Sequence, residues 1–293
     1  MLCLAVSIGV SALFVGALLV YIVSEADLRR DFSVSAEHLR LRAVPNPELV
    51  ERGRHLASAV AQCSTCHGGD LAGVRVIDDF FVGRLYAPNL TRGEGGLGSI
   101  YRDTDWVRAI RFGVSREGRS LFLKPSEHLS AMSDMDLAAV IAYLRQVPSV
   151  HTNYPSTRIG PLIRIGMSLG LTPNLLSAPA VDRRRKPSVE MHAERTVEYG
   201  AYLADLGGCH MCHGADMRGG LHPLARPGEP VPPDLRRMGS MRDWTRENFA
   251  RAMREGRTPE GRRLDPEFMP WTGYAGLTDL EIEALWLYLG DLR

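Results

Sequence analysis

Two short segments carry cysteine and histidine at a spacing that suits a covalently attached cofactor. Residues 63–67 read Cys-Ser-Thr-Cys-His and residues 209–213 read Cys-His-Met-Cys-His, so the pattern Cys-x-x-Cys-His occurs twice. Cysteines three positions apart lie on one side of a helical turn, where both sulfur atoms reach the two vinyl groups of one porphyrin. The histidine that follows is then placed beneath the iron. This pattern is the attachment sequence of a c-type haem.

The chain is therefore predicted to bind two haem c groups, one at each segment. The predicted attachment residues are Cys63, Cys66, Cys209 and Cys212. The predicted proximal iron ligands are His67 and His213. A zinc site and a redox dithiol are the alternatives. Zinc requires two cysteine pairs that meet in one tetrahedral site, whereas these pairs are 146 residues apart. A thioredoxin-like dithiol needs neither the histidine nor a second copy.

The first 23 residues, from Met1 to Val23, contain no charged side chain. As a helix they would extend for about 34 Å, enough to cross a hydrocarbon core of about 30 Å. Residues 1–24 are therefore predicted to form a transmembrane anchor. A cleaved signal peptide is the alternative, because Val15-Gly16-Ala17 supplies small residues suited to cleavage. Haem attachment indicates a bacterial inner membrane with the haem domains on its oxidising, periplasmic side.

The composition indicates folded domains. Of 293 residues, 45% are hydrophobic and 24% are charged, so the chain can form two cores of about 100–150 residues each. The formal net charge is +1, from 35 Lys and Arg against 34 Asp and Glu. This balance gives no reason to expect a nucleic acid as the main partner. Five cysteines are too few for a disulfide-linked scaffold.

An internal repeat connects the two motifs. The segment Arg-Ala-Ile-Arg at 108–111 corresponds to Arg-Ala-Met-Arg at 251–254, and Tyr143 corresponds to Tyr288. Two homologous domains are therefore predicted. The predicted order is the anchor at 1–24, domain 1 at 45–150, a linker at 151–195 and domain 2 at 196–293.

Each predicted domain begins and ends with a helix, so the fold class is all-α. Asn46 followed by Pro47 predicts a capped helix that runs toward the first motif. Thr278 and Glu281 predict a capping box that opens an amphipathic terminal helix. Ser133–Arg145 is the counterpart of this terminal helix in domain 1.

Over roughly residues 48–293 the chain resembles the class I cytochrome c fold. More specifically, it is similar to the membrane-anchored multihaem cytochromes c that include the cytochrome subunits of bacterial alcohol dehydrogenases. That type of subunit usually carries three haem motifs, whereas this chain has two. The segments that carry the resemblance are Cys63–Leu71, Ala87–Thr91, Ala109–Arg111, Asp136–Leu137, Ile141–Leu144 and Met269–Trp271.

The resemblance implies a methionine ligand on the distal face of each haem, from a loop before the terminal helix. Met269 occupies this place in domain 2. At the repeat offset of 145 residues it corresponds to Lys124, so the methionine is missing from domain 1. Register favours Lys124 as the sixth ligand of haem 1. His128, Met132 and a five-coordinate iron are the alternatives.

Four arginines precede the distal loops and are candidates for hydrogen bonds to haem propionates. They are Arg108, Arg111, Arg251 and Arg254. Exposed surface arginines are the commoner case, and this is the alternative for each of them.

The sequence predicts a membrane-anchored dihaem electron carrier in the periplasm. Its expected partners are a membrane-embedded redox complex, a soluble electron carrier and the lipid bilayer. Haem 2 is expected to be the more oxidising centre, because thioether ligation favours reduced iron. One alternative is a peroxidase-like or thiosulfate-oxidising dihaem enzyme in which haem 1 is catalytic. Another is a structural or docking subunit of a membrane complex.

Overall fold

The computed structural model describes residues 2–172, 175–183, 186–220 and 228–292. The helices before and within domain 1 are α1 Leu2–Leu28, α2 Pro47–His55, α3 Cys63–His67, α4 Asp103–Phe112, α5 Ser126–Leu129 and α6 Asp134–Leu144. The linker carries α7 Pro161–Ser168 and α8 Ser177–Ala180. The helices of domain 2 are α9 Val197–Leu206, α10 Cys209–His213, α11 Arg246–Glu255, α12 Trp271–Tyr274 and α13 Asp279–Asp291.

Helix α1 is a single apolar helix that stands apart from both domains. Residues Ser7–Leu28 have a mean hydropathy of 2.2, and this part of the helix is long and apolar enough to cross a membrane. Only 6% of this stretch is buried against the rest of the protein. Length and composition therefore agree with the predicted anchor, although a signal sequence has the same features.

The first and last helices of each domain cross at a glycine. In domain 1, α2 packs against α6, and a Cβ added to Gly53 would overlap the Ala139 carbonyl. In domain 2, α9 packs against α13, and a Cβ added to Gly200 would overlap the Ala284 carbonyl. Glycine is needed at both positions because the two helix backbones approach too closely for a side chain.

The predicted helix starts are confirmed. The Asn46 side chain accepts a hydrogen bond from the Leu49 N–H at 2.8 Å, and Pro47 occupies the first position of α2. Thr278 and Glu281 form the reciprocal capping box that opens α13. These bonds satisfy N–H groups that have no partner within the helix.

The fold is mostly helical, as predicted, and domain 1 and the linker add a small antiparallel sheet. Its strands are β1 Val74–Asp79, β2 Gly83–Ala87 and β3 Arg158–Ile159, in the order β1-β2-β3. In the turn between β1 and β2, the Asp79 carboxylate accepts hydrogen bonds from the Phe81 and Val82 N–H groups, both at 2.8 Å. β1 is largely exposed on both faces, so its sequence lacks the alternation by which strands are recognised.

The two domains share one continuous hydrophobic core, and a symmetric pair of hydrogen bonds joins them. The Tyr202 hydroxyl on α9 donates to the Asp136 carboxylate on α6 at 2.7 Å. On the other side, His55 Nε2 at the end of α2 donates to the Glu281 carboxylate on α13 at 2.8 Å. Asp136 and Glu281 are equivalent in the repeat. Each domain therefore uses its first helix to bind the terminal helix of the other.

Breaking this interface is expected to destabilise the protein. Glu281 is 2% exposed, so Glu281→Gln should lower the free energy of unfolding by about 1–3 kcal/mol, because the half-buried His55 donor loses its charged acceptor. Denaturant unfolding of the variant and of wild type measures this loss. Glu247→Gln, at an exposed ion pair with Arg246, is the control and should change stability by less than about 1 kcal/mol.

The same pair makes stability depend on pH. Burial opposes ionisation of Glu281, but hydrogen bonds from His55 and Thr278 outweigh it and hold the pKa of Glu281 below its ordinary value of 4.5. A lowered pKa in the folded state stabilises the protein above that ordinary value, and the stabilisation is lost as pH falls below it. The Glu281→Gln variant should therefore lose less stability than wild type between pH 5 and strongly acidic pH. Equal acid sensitivity of the two proteins would contradict this assignment.

Candidate functional site

The first cysteine motif forms helix α3, and a backbone carbonyl orients its histidine. His67 Nδ1 donates a hydrogen bond to the Pro88 carbonyl at 2.9 Å. This bond fixes the ring and leaves Nε2 available to bind a metal. Burial, together with the charge of Lys124, lowers the pKa of His67 to about 4. The imidazole is therefore neutral at physiological pH, as a metal ligand must be.

The second motif, in α10, repeats this arrangement. His213 Nδ1 donates to the Pro233 carbonyl at 3.0 Å, and burial lowers the pKa of His213. Pro88 and Pro233 are separated by the repeat offset of 145 residues. Sequence reasoning did not identify either carbonyl. The aligned Pro-Asn-Leu at 88–90 and Pro-Asp-Leu at 233–235 was the signal that could have revealed them.

A cavity of about 480 Å³ lies beside α3. Its volume is within the range of sites that enclose a small-molecule cofactor. Cys63, Cys66 and His67 lie on its wall, together with Lys124 and Met132. The other lining residues are mainly apolar and include Trp106, Ile110, Leu129, Val140 and Leu144.

The candidates for the sixth ligand of haem 1 are placed differently around this cavity. Lys124 and Met132 both line it, whereas His128 is not among its lining residues. The His128 Nε2 lies 3.1 Å from the Glu127 carboxylate. Burial lowers the pKa of His128, and charged groups of domain 2 also affect this pKa. Burial lowers the pKa of the Lys124 amine, against the attraction of Cys63 and Cys66. A lowered pKa favours the neutral amine, which is the form that binds metal.

Lys124 and Met269 occupy the same turn in their two domains. The N–H two residues after Lys124 donates to its carbonyl at 2.7 Å, and the equivalent bond at Met269 is also 2.7 Å. Each turn continues through a proline of nearly identical conformation into a short helix, α5 or α12. The predicted register of the two domains is therefore confirmed at this position. The Met269 side chain packs against the hydrophobic core of domain 2.

The linker braces the turn that carries Lys124. The Lys124 N–H donates to Ser177 Oγ at 3.0 Å, and the Leu123 N–H donates to the Leu175 carbonyl at 3.0 Å. In the other direction, the Ser177 N–H donates to the Leu121 carbonyl at 2.9 Å. The turn that carries Lys124 is thus held by the linker, which lies outside domain 1. The sequence alone did not indicate this contact.

Two of the four candidate propionate-binding arginines are engaged elsewhere. Arg111 donates to the Met132 carbonyl and to the Asp134 carboxylate, both at 2.8 Å. Arg254 makes the equivalent contacts with the Leu277 carbonyl and Asp279, also at 2.8 Å. Both side chains hold the start of a terminal helix, and this is the role that the geometry gives them.

The other two arginines are placed nearer the surface. Arg108 lies 3.8 Å from the Asp105 carboxylate and is not among the residues that line the cavity of domain 1. Arg251 is exposed on α11. A propionate contact remains a prediction for these two residues.

The residue before the first motif connects the two candidate sites. Gln62 has a positive φ of 47°, which is strained for a residue with a side chain, whereas glycine occupies the equivalent position 208 in domain 2. The Gln62 side chain packs against Gly273, where an added Cβ would collide with it, and Tyr274 is the next residue. The Tyr274 hydroxyl in turn donates to the Gly207 carbonyl at 2.6 Å. One chain of contacts thus leads from beside Cys63 to beside Cys209.

The profile of the family described as "Cytochrome c" matches residues 50–148 and 197–293. The chain belongs to the cytochrome c family. The two matched regions each contain one Cys-x-x-Cys-His motif, and they confirm the predicted pair of tandem cytochrome c domains. The cytochrome c fold also accounts for the crossed first and last helices of each domain.

Similar proteins include subunits of three dehydrogenases. The chain is 31% identical over 175 residues to a nicotinate dehydrogenase subunit of Pseudomonas putida, covering 56% of this cytochrome and 14% of that protein. It is 34% identical over 176 residues to the gluconate 2-dehydrogenase cytochrome c subunit of Pantoea cypripedii, covering 57% and 38%. It is 26% identical over 187 residues to the fructose dehydrogenase cytochrome subunit of Gluconobacter japonicus, covering 59% and 35%. The matched part therefore spans less than two fifths of each relative.

The residues around the cavity of domain 1 fit a haem c group. Two cysteines and a correctly oriented histidine lie on one wall, and apolar side chains form much of the remainder. The Trp106 indole N–H is buried and has no hydrogen-bond partner in the described part of the chain. An unused donor on this wall suits a cofactor that carries carboxylates, as haem does.

Proposed function

We propose that this protein is a membrane-anchored cytochrome that binds two haem c groups and transfers single electrons on the periplasmic side of a bacterial inner membrane. Electrons would pass between a membrane-associated dehydrogenase and a second redox partner. When bound, haem c supplies one-electron redox chemistry at its iron. The chain would supply the residues that bind the iron, the apolar surroundings and the contact between the two sites.

The proposal assigns a ligand pair to each site. His67 and Lys124 would bind the iron in domain 1, and His213 and Met269 would bind it in domain 2. Hydrogen bonding to the Pro88 and Pro233 carbonyls holds each imidazole in orientation and increases its basicity. Cys63, Cys66, Cys209 and Cys212 would form the thioether bonds.

One observation supports electron transfer between the sites more than any other. The attachment segment of domain 1 packs directly on the distal segment of domain 2, through Gln62 against Gly273. We therefore assign to the interface the role of keeping the two haem sites in fixed proximity.

The relatives support a dehydrogenase as the electron donor, because three of them are subunits of nicotinate, fructose and gluconate dehydrogenases. The single apolar helix α1 supports attachment to the membrane. Together these observations favour an electron-transfer subunit over an independent enzyme.

Purification from native membranes tests this function. The tagged full-length protein should co-purify with a dehydrogenase, and adding that enzyme's substrate should reduce both haem groups. Nicotinate, fructose and gluconate form the first substrate panel. A protein that purifies alone and rapidly consumes peroxide or thiosulfate would instead support the dihaem enzyme.

A further inference from the structure

Helix α7 of the linker packs with its polar side on the end of α1. Arg164 Nη2 donates to the Glu25 carboxylate at 3.0 Å, and its guanidinium group lies 4.8 Å from the centre of the Tyr21 ring. One turn further along, Ser168 Oγ donates to the Val20 carbonyl at 3.1 Å. These contacts place α7 beside the last part of the candidate membrane span.

The position of these contacts indicates how deep α7 lies along the candidate membrane span. Glu25 is the first charged residue of the chain, so it marks the level at which α1 leaves the apolar region. Val20 lies five residues earlier, which is about 7.5 Å deeper along a helix. The end of α7, at Ser168, therefore lies about 7.5 Å deeper than the contact of Arg164 with Glu25, so α7 runs along α1 toward the apolar region.

The other side of α7 presents large apolar side chains that are well exposed in the described protein. Leu162, Ile165 and Leu169 follow one another at positions i, i+3 and i+7, with Leu169 directly after the end of the helix, and Leu171 comes after Gly170. Leu169 is 66% exposed and Leu171 is 65% exposed. Transfer of leucine side chains out of water is favourable, so this face favours an apolar environment.

The tip of the β1–β2 hairpin extends the same apolar surface. Phe80 is 81% exposed and Phe81 is 62% exposed, and their rings pack edge to face at 5.2 Å. The Leu162 N–H donates to the Phe81 carbonyl at 2.9 Å, which fixes the hairpin tip to the first turn of α7. Phe80, Phe81, Leu162, Ile165, Leu169 and Leu171 therefore form one surface, called here the apolar face.

We propose that the apolar face enters the lipid interface beside α1, as a second membrane contact. This inference rests on the proposed role of α1 as a membrane anchor. Lipid is the occupant because the face continues from α1 at the level of Val20. The Tyr21 ring beneath Arg164 is the kind of pair that occupies a membrane–water interface. Such a contact would fix the orientation of domain 1 relative to the membrane.

Lipid photolabelling tests the proposal. The full-length protein with its haem groups is reconstituted into phosphatidylcholine vesicles that contain a phospholipid with a diazirine in its acyl chain, and adducts are mapped by mass spectrometry after irradiation. Adducts are expected in α1, in residues 80–81 and in residues 162–171. Met238 of domain 2 is 81% exposed and serves as an apolar control that should remain unlabelled.

The double variant Leu162→Gln, Leu169→Gln should lose the adducts in 162–171 and keep those in α1, whereas Met238→Gln should keep both sets. The wild-type map alone decides the question if the double variant loses its haem spectrum. Adducts confined to α1 would overturn the proposal and leave the anchor intact. Absence of adducts in α1 as well would overturn both. Cross-links from 162–171 to a second copy, without lipid adducts there, would make this face a protein interface instead.

Discussion

Replacing Lys124 by methionine is expected to raise the reduction potential of haem 1 by on the order of 0.1 V, within the range of about 0.8 V that axial ligands span. An amine nitrogen favours oxidised iron more than a thioether does, so the substitution makes domain 1 resemble domain 2. Lys124 lines the cavity that contains the first motif, in the same turn that holds Met269 in domain 2. A spectroelectrochemical titration of the full-length protein measures the change.

The same site should respond to pH. Only the neutral amine binds iron, so protonation competes with ligation and the wild-type haem 1 should lose its sixth ligand as pH falls. Lys124→Met should abolish this transition, because a thioether does not titrate. Met132→Leu alters another residue of the same cavity wall and should leave both the potential and the transition nearly unchanged. If Lys124→Ala preserves the spectrum and potential of haem 1, lysine ligation is wrong.

Met269→His should shift haem 2 in the opposite direction. Imidazole stabilises oxidised iron relative to a thioether, so the potential should fall by on the order of 0.1 V or more while the iron remains low-spin. Haem 1 should change little, because its ligands lie in the other domain. The difference in potential between the two haem groups would then shrink or reverse, and this is read from the same titration.

A second methionine of domain 2 provides the matched control. Met253 is buried on α11, so Met253→Leu tests whether loss of any core methionine alters the potential. It should leave the potential of haem 2 close to that of wild type. Equal effects of the two substitutions would mean that Met269 only fills space in the core.

The residues that attach the cofactor could be predicted because the attachment chemistry depends on their spacing along the chain. Two cysteines and a histidine within five residues need no distant partner to be recognised. The equivalence of Lys124 and Met269 also followed from the sequence, since the repeat keeps its register through the proline turn. Helix starts such as Asn46 were predictable because capping is local.

Features that depend on distant contacts were not predictable in the same way. The Pro88 carbonyl orients His67 from 21 residues away, and nothing in its residue type marks it as an acceptor. Arg111 resembled a propionate ligand, but the fold brings it to the start of α6. The bond between Tyr202 and Asp136 arises only when the two domains pack together.

Each cytochrome c domain is expected to carry one covalently bound haem, and intact-protein mass spectrometry under denaturing conditions measures this. The polypeptide has a mass of 32.4 kDa. The wild-type mass should be greater than this by two haem units. A variant with Cys63 and Cys66 replaced by alanine should be heavier than its polypeptide by one unit, as should the equivalent variant at Cys209 and Cys212. A wild-type mass equal to that of the polypeptide alone, with haem released on denaturation, would show that covalent attachment is wrong.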